Sequence, residues 1–504
     1  MSFKSLGNTS YFRQDTMYSK TGCRTCKIRK VKCDEGYPAC HRCVSTGRAC
    51  DGYAVWGGDL PQSMSAPCLA ISTVEKQCLD WLQMRTVTKL PGSFRSEFWS
   101  RLLLQASRHE PAILHASLAL SAVHKTVVDG EARMDRFVLR HYNMAISHLN
   151  GHFAANDTFS IQVILIACIA FVTLECLRGN FVAAQTHIQN GLKIIEAQKY
   201  KQDSLADDWI MEVFSRLEIQ VRLLNSLSTS SPRHSFDIPR RFRSRKDAWK
   251  SLDSLTNNTL RLRSKPVGSS GQTLIARQTI LRRLRRWQTV YEASAIFHGI
   301  SSEVDEVAPT LLMAHHTMAT IMAELCLCSD EMAFDSQNHR FAQLMDELQR
   351  LDDIGKANPD ALSPGPQKGR SIMDLGYLVP LYYVAVKCRV HVIRHQALGI
   401  LDSVSHQEGI WDPKTTALVS RKIVELEEQD FYHQPHERCL PASHRIGDIK
   451  VLRERDPTEK IFLIASERSV AEYDVTLYID VIAHCYSIHI SCELDIISAS
   501  PYKY

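Results

Sequence analysis

Six cysteines fall within 28 residues near the N-terminus: Cys23, Cys26, Cys33, Cys40, Cys43 and Cys50, spaced C-x2-C-x6-C-x6-C-x2-C-x6-C. One half, C-x2-C-x6-C, is used twice. A C-x2-C step lets two thiolates reach one ion from a tight turn, as in structural zinc sites. Six sulfurs cannot fill two separate tetrahedral sites, which together need eight ligand positions, so two sulfurs must be shared. The internal repeat nominates the first of each half, Cys23 and Cys40, as the bridging pair. The expected cofactor is Zn2+, as two ions. Ligation by thiolates alone leaves no open position for water, which makes such a metal structural and not catalytic.

Other uses of the thiols fit less well. A disulfide framework needs an oxidising compartment, yet the residues after Met1, "SFKSLGNTSYFRQDTMYSK", contain no apolar h-region. A C-x-x-C redox motif expects a surrounding βαβ pattern, and none is present. The ten cysteines outside this segment, among them Cys168, Cys176 and Cys388, lie among apolar residues. They read as small buried side chains in a reducing compartment.

The same segment is dense in cations. Between Arg24 and Lys32 stand five basic residues, Arg24, Lys27, Arg29, Lys30 and Lys32, in a stretch too short to bury them. Residues 1–60 hold 10 Lys and Arg against 5 Asp and Glu, which leaves the other 444 residues with 50 of each sign. The net charge of +5 therefore sits on the cysteine segment, where a phosphate backbone would release counterions on contact.

Cysteine spacing, the basic run between the second and third cysteines and Pro38 between the halves make residues 20–53 resemble the DNA-binding module of the fungal binuclear zinc cluster transcription factors. The resemblance implies two short helices around the cluster, the first set against the major groove of double-stranded DNA. Carried over by position, Arg29 and Lys30 face the bases, and Arg24, Lys27, Lys32 and Arg42 contact phosphates. The family usually reads CGG-like triplets with a lysine pair, whereas this chain has arginine at position 29. The resemblance also implies a nuclear location, with "KIRKVK" serving for import.

Residues 54–74 are rich in Gly, Pro, Ser and Ala and read as a linker. No a/d heptad is sustained between 52 and 110, so a zipper homodimer has no support there, and a homodimer partner stays open. From 75 onward the pattern is helical. In "EPAILHASLALSAVHK" (110–125) Pro111 suits a first helical turn, and Ile113, Ala116, Leu120 and Val123 recur at steps of 3 and 4. Similar stripes run through 134–153 and 207–227, and helices are expected at about 275–297, 309–328, 338–352, 375–401 and 414–430. In 174–195, Gly179 and Gly191 punctuate a helix pair. The apolar run 161–177 is too short and too interrupted to span a bilayer and reads as a core helix, so no membrane is expected.

Residues 75–450 resemble the large helical regulatory domain carried by one branch of the same family, for example in "SEFWSRLLLQASRHEPAILHASLALSAVH" and "LECLRGNFVAAQTHIQNGLKI". That implies contacts with the transcription machinery. In the tail, 451–504, the run 473–497 is rich in β-branched and aromatic residues and suited to strands. His484, Cys485, His489 and Cys492 match no regular ligand spacing. Basic clusters "RRFRSRK" (240–246) and "RRLRR" (282–286) read as solvated faces in preference to an import signal or a second DNA patch.

The expected architecture is thus mainly α: a small zinc-organised module followed by a large all-helical domain. G-x-G-x-x-G, P-loop and G-x-S-x-G motifs are missing, and "HEPAILH" has Ile113 where a zinc protease needs histidine. No catalytic residue is assigned and no enzyme is expected. The leading expectation is a zinc-dependent, sequence-specific regulator of RNA polymerase II genes. Two alternatives are a sensor whose helical domain answers to a small-molecule effector, and a zinc- or RNA-binding protein without sequence-specific regulation.

Overall fold

The computed structural model describes 26, 29, 31–34, 40–46 and 48, most of 72–447, and four strand backbones between 448 and 490. Outside the described residues in the second stretch are 95, 131–133, 156, 198–204, 225–237, 264–270, 295–302, 359–360, 362–370, 430 and 434–438. The chain divides into two compact units, Met1–Leu69 and Ala70–Tyr504. In the first, a short helix α1 spans His41–Val44.

The second unit opens at α2 (Thr73–Trp81), which runs on through a π-helical stretch, Leu82–Thr86, into Val87–Lys89. Ser72 and Glu75 start it with a capping box: Glu75 N donates to Ser72 Oγ (3.3 Å) and Ser72 N to Glu75 Oε2 (2.7 Å). A π turn at Phe98–Leu102 leads into α3 (Leu103–His109). Next comes α4 (Pro111–Asp129), with Pro111 in its first turn, extended Glu110 before it and left-handed Gly130 (φ 67°) behind it. It is followed by α5 (Asp135–Ala155), α6 (Thr158–Leu177), α7 (Phe181–Ala197) and α8 (Leu205–Leu224).

Helix α6 is long and apolar enough to cross a membrane by composition, but 89% of its most apolar window is buried in protein. Helices α4, α5, α7 and α8 surround it, and each fully buried Leu, Ile or Val contributes about 1.5–3 kcal/mol. Gly179 (φ 74°) ends α6 as expected, donating to Cys176 O at 3.0 Å. Gly191 differs from the expectation: it lies inside α7. A Cβ there would stand 2.4 Å from Phe214 Cε1, so this glycine lets α7 and α8 approach closely and does not break a helix.

The second half holds α9 (Arg245–Arg263), α10 (Gly271–Glu292), α11 (Glu303–Leu325) and α12 (Asn338–Ala357). After these come α13 (Leu378–Lys387), α14 (His391–Ser403) and α15 (Pro413–Glu428). The single helix expected over 375–401 is two. Extended backbone at Cys388 and Val390 turns the chain so that Lys387 and Arg389, both buried, reach Glu331 at 2.9 and 3.0 Å. Arg389 and Arg394 also converge on Glu427, at 2.8 and 2.6 Å.

Ser371–Ile372 (β1) pairs in parallel with Gln407–Glu408 (β2). Gln220 of α8 pins both, donating to Met373 O (3.0 Å) and accepting from Ile410 N (3.1 Å). The second unit is also not wholly helical, because the chain finishes in an antiparallel meander. Its strands are β3 (Asp448–Arg453), β4 (Lys460–Ser466), β5 (Asp474–Asp480) and β6 (Tyr486–Ile490), in spatial order 3-4-5-6. The last two coincide with the β-rich run, whereas the first two were not anticipated. Of the histidine and cysteine candidates in this tail only the backbone of His489, in β6, is described.

Buried histidines give this unit an acid-sensitive interior. His316 donates from Nε2 to Leu284 O (3.1 Å) and stacks on Trp287 (5.1 Å); burial pushes its pKa down to about 4. The unfolded chain then holds more protons between pH 6.5 and 4, so stability falls as pH drops through that window. His316→Phe removes this loss, whereas carboxyls that burial raises, such as Asp253 and Glu347, contribute equally to both proteins. The stability gap between wild type and variant is therefore expected to shrink by about 2 kcal/mol from pH 7 to pH 5, read by urea unfolding.

Candidate metal centre and nucleic-acid interface

Four of the six cysteines are described, and all four are buried: Cys26, Cys33, Cys40 and Cys43. They form a cluster of their own, with Val31 packed against it. Cys26 Sγ lies 3.7 Å from Cys40 Sγ and 3.9 Å from Cys43 Sγ, and the sulfurs of Cys26, Cys33 and Cys40 all lie within 4.8 Å of one another. A disulfide would bring two sulfurs to about 2.05 Å. Zinc bound tetrahedrally to sulfur at about 2.3 Å places its ligands about 3.8 Å apart. The spacing of the thiols therefore fits a shared metal and excludes a cystine among them.

Local chain chemistry holds this arrangement. Cys40 is the N-cap of α1, its sulfur accepting from Cys43 N at 3.3 Å. Asp34, six residues before Cys40, accepts from His41 N and Arg42 N, both at 2.9 Å, and places a carboxylate at the start of that helix. Thr46 Oγ1 closes the other end by donating to Arg42 O (2.9 Å) and Cys43 O (3.1 Å). Sequence reasoning missed both: Asp34 acts across a loop, where a cap carries no fixed spacing, and Thr46 bonds back three and four residues from the end of a helix only four residues long.

Cationic side chains flank the sulfurs. Lys32, Arg42 and Arg48 are exposed. Arg29 is half-buried and reaches into the second half of the module, donating to Thr46 Oγ1 (3.3 Å) and Arg42 O (3.5 Å). Cys23, Cys50, Lys30, Arg24 and Lys27 lie outside the described residues, as does Pro38.

In the second unit, exposed Arg240, Arg241 and Arg243 flank Phe242, which is buried against Trp287 (5.8 Å) and Tyr291 (6.5 Å). Arg282, Arg285 and Arg286 of α10, the helix that carries Trp287 and Tyr291, are exposed as well. Most arginines of the two clusters are thus solvated over an aromatic contact, whereas Lys246 at the end of the first is half-buried and paired with Glu97 and Glu212. Among the described cysteines of this unit, Cys78, Cys168, Cys176, Cys326 and Cys388 are buried as expected, while Cys328 and Cys439 are exposed.

Comparison with known proteins agrees with this geometry. Residues 21–55 match the fungal Zn(2)-Cys(6) binuclear cluster domain, and residues 84–350 match the fungal specific transcription factor domain. The chain is 22% identical to the aspercryptin biosynthesis cluster-specific transcription regulator atnN of Emericella nidulans, over 82% of this chain and 88% of that protein. It is 26% identical to the transcription regulator lscL of Purpureocillium lilacinum, over 36% of this chain and 50% of the relative. A 41-residue segment is 49% identical to an uncharacterized transcriptional regulatory protein of Schizosaccharomyces pombe, over 8% of each. No solved structure matches. The converging thiols, the cations around them and these two matched domains show that the chain belongs to the fungal Zn(2)-Cys(6) transcription regulators, DNA-binding proteins whose cysteine module holds two zinc ions.

Proposed function

We propose that this regulator acts in the nucleus, is not an enzyme, and selects a CGG-like triplet by setting the first half of its cysteine module into the major groove. The observation that carries this reading is the convergence of buried thiols beneath exposed Lys32 and Arg42. In this reading all six cysteines ligate zinc and Cys23 and Cys40 bridge. Cys40 suits that role, because its sulfur neighbours Cys26 and Cys33 of the first half while its own backbone begins the second. Arg29 and Lys30 donate to guanine, and Arg24, Lys27, Lys32 and Arg42 position the module on phosphates. The long, partly solvated contacts of Arg29 are ones a guanidinium can exchange for a base edge.

We divide the chain into the module at 20–53, a linker at 54–74, the regulatory domain at 75–450 and a tail at 451–504. Selection of sequences from random duplexes by the full-length chain tests the function. Enrichment of one or two CGG-like triplets supports it, and uniform affinity for unrelated nucleic acids overturns it in favour of non-specific zinc or RNA binding. In the selected site, Arg29→Ala is expected to lower affinity about 10–100-fold while changing binding to random DNA far less. Equal losses on both would remove Arg29 from the bases.

A second reading has one observation in its favour. A small cleft in the helical unit is lined by Leu223, Val379, Tyr382, Tyr383 and Val386, with Arg222 and Lys387 at its edge already paired to Glu218 and Glu331, walls suited to a partly apolar effector. A ligand-dependent rise in the melting temperature of this unit is its test.

A further inference from the structure

Away from the cysteine module, a second set of metal-ligating side chains converges. Helix α14 begins with His391 and carries His395 four residues on, which places two imidazoles one turn apart on one face. Glu428, the last residue of α15, meets both with a single oxygen: His391 Nδ1 lies 3.0 Å and His395 Nε2 2.8 Å from Glu428 Oε2. All three ligand atoms lie within 4.8 Å of one another. The carboxylate is nearly buried, while the imidazoles are 44% and 46% exposed, so the solvent side of the trio is open. The ring of Tyr432 closes one flank, 4.5 Å from that of His391.

We propose that His391, His395 and Glu428 form a further metal site, an exchangeable Zn2+ site whose remaining position is taken by water and which clips α14 to α15. Two imidazoles and one carboxylate, with the histidines four apart on a helix, are the donor set of open zinc sites. Zinc at about 2.0–2.2 Å from nitrogen and oxygen needs ligand atoms about 3.4 Å apart. The two hydrogen bonds would lengthen by about half an ångström, which half-exposed side chains on a helix surface can accommodate. Each imidazole now donates an N–H to the carboxylate. On metal binding that proton leaves the ligating nitrogen for the opposite ring nitrogen, and the lone pair so freed turns to the ion.

The neighbouring charges select the kind of ion. Arg394 Nη1 approaches Glu428 Oε1 at 3.4 Å and offsets part of its charge. A hard cation such as Mg2+ or Ca2+, held by oxygen charge alone, gains little here. Imidazole ligation favours zinc, copper and nickel. Next to Glu428 in sequence, Glu427 anchors Arg389 and Arg394 in the interior, so the ion would sit at the mouth of that buried network.

Native mass spectrometry of the full-length chain, equilibrated at micromolar free Zn2+ with its cysteine module loaded, decides the matter. Wild type is expected to carry one zinc ion more than His391→Ala/His395→Ala. Zinc should also raise the melting temperature of the helical unit in wild type and not in the double variant. Equal ion counts and equal zinc shifts would overturn the site. Both histidines are half-exposed, so the metal-free double variant should melt close to wild type. Should it fail to fold, His395→Gln alone is compared in the same way, again with one ion fewer expected and an equal count overturning the site. A Co2+ titration adds a distinguishing signal: d–d bands lost in the variant arise here, whereas thiolate charge-transfer bands arise in the cysteine module and are unchanged.

Discussion

Cys40→Ser is expected to leave the N-terminal module without ordered structure at neutral pH and to reduce affinity for the selected DNA site roughly 10^3-fold or more, to the non-specific level. Two contacts of the folded module meet at this sulfur: its approach to Cys26 and the capping bond from Cys43 N that starts α1. A serine hydroxyl keeps the cap and loses the thiolate. Zinc binding in such small modules supplies about 10–16 kcal/mol, which is the folding free energy itself. The helices belong to a separate compact unit, so the thermal transition followed by far-ultraviolet circular dichroism is expected to be unchanged while metal content falls. A variant that keeps two zinc ions and full affinity would remove Cys40 from the ligand set. Chelation of the wild-type metal should reproduce the loss, and added Zn2+ should reverse it.

Glu408→Ala is expected to have the largest effect in the helical unit, a destabilisation of about 3–5 kcal/mol. This carboxylate is fully buried. It accepts from the backbone N–H groups of Gly376 (2.9 Å), Tyr377 (2.8 Å) and Leu378 (3.1 Å) at the start of α13, and from His406 Nε2 (2.9 Å). Truncation leaves those donors buried without an acceptor, at the positive end of a helix. Gly376 is what lets the carboxylate come so close: a Cβ there would stand 2.1 Å from Glu408 Oε1. Gly376→Ala should therefore be destabilising alone and much less so on top of Glu408→Ala, since the methyl then enters vacated space. Urea unfolding of the four proteins measures this. Strict additivity would show that the two residues do not meet.

These two sites differ in how far they can be read from sequence. The cysteine cluster is legible because ligand spacing along a short chain limits which sulfurs can share an ion. The helices are legible for a similar reason, a local period of apolar residues, and Pro111 and Gly179 mark ends where they are expected. Glu408 gives no such signal. It caps a helix that begins 30 residues earlier in the chain, and only the pairing of β1 with β2 brings it there. The break between α13 and α14 contains neither proline nor glycine, because buried charges at Lys387 and Arg389 impose it. Gly191 looked like punctuation and is an interhelical contact, a distinction that depends on Phe214 across the interface. His391 and His395 show helical spacing in the sequence, but their acidic partner stands 33 residues away from the second histidine.

The arginines that converge on Glu427 also bear on how short a fragment of this protein can be and still close on itself. Ile446 N donates to Glu427 at 2.8 Å, Arg389 donates to Ile446 O at 3.1 Å and Lys387 to Gly447 O at 2.6 Å. The matched family segment stops at residue 350, yet these cations depend on main-chain atoms almost a hundred positions later. A polypeptide ended at residue 350 would keep Glu331 and lose both cations that pair with it, and one ended between Arg394 and Glu427 would strand several positive charges in its own interior, whereas one carried through Gly447 retains their acceptors.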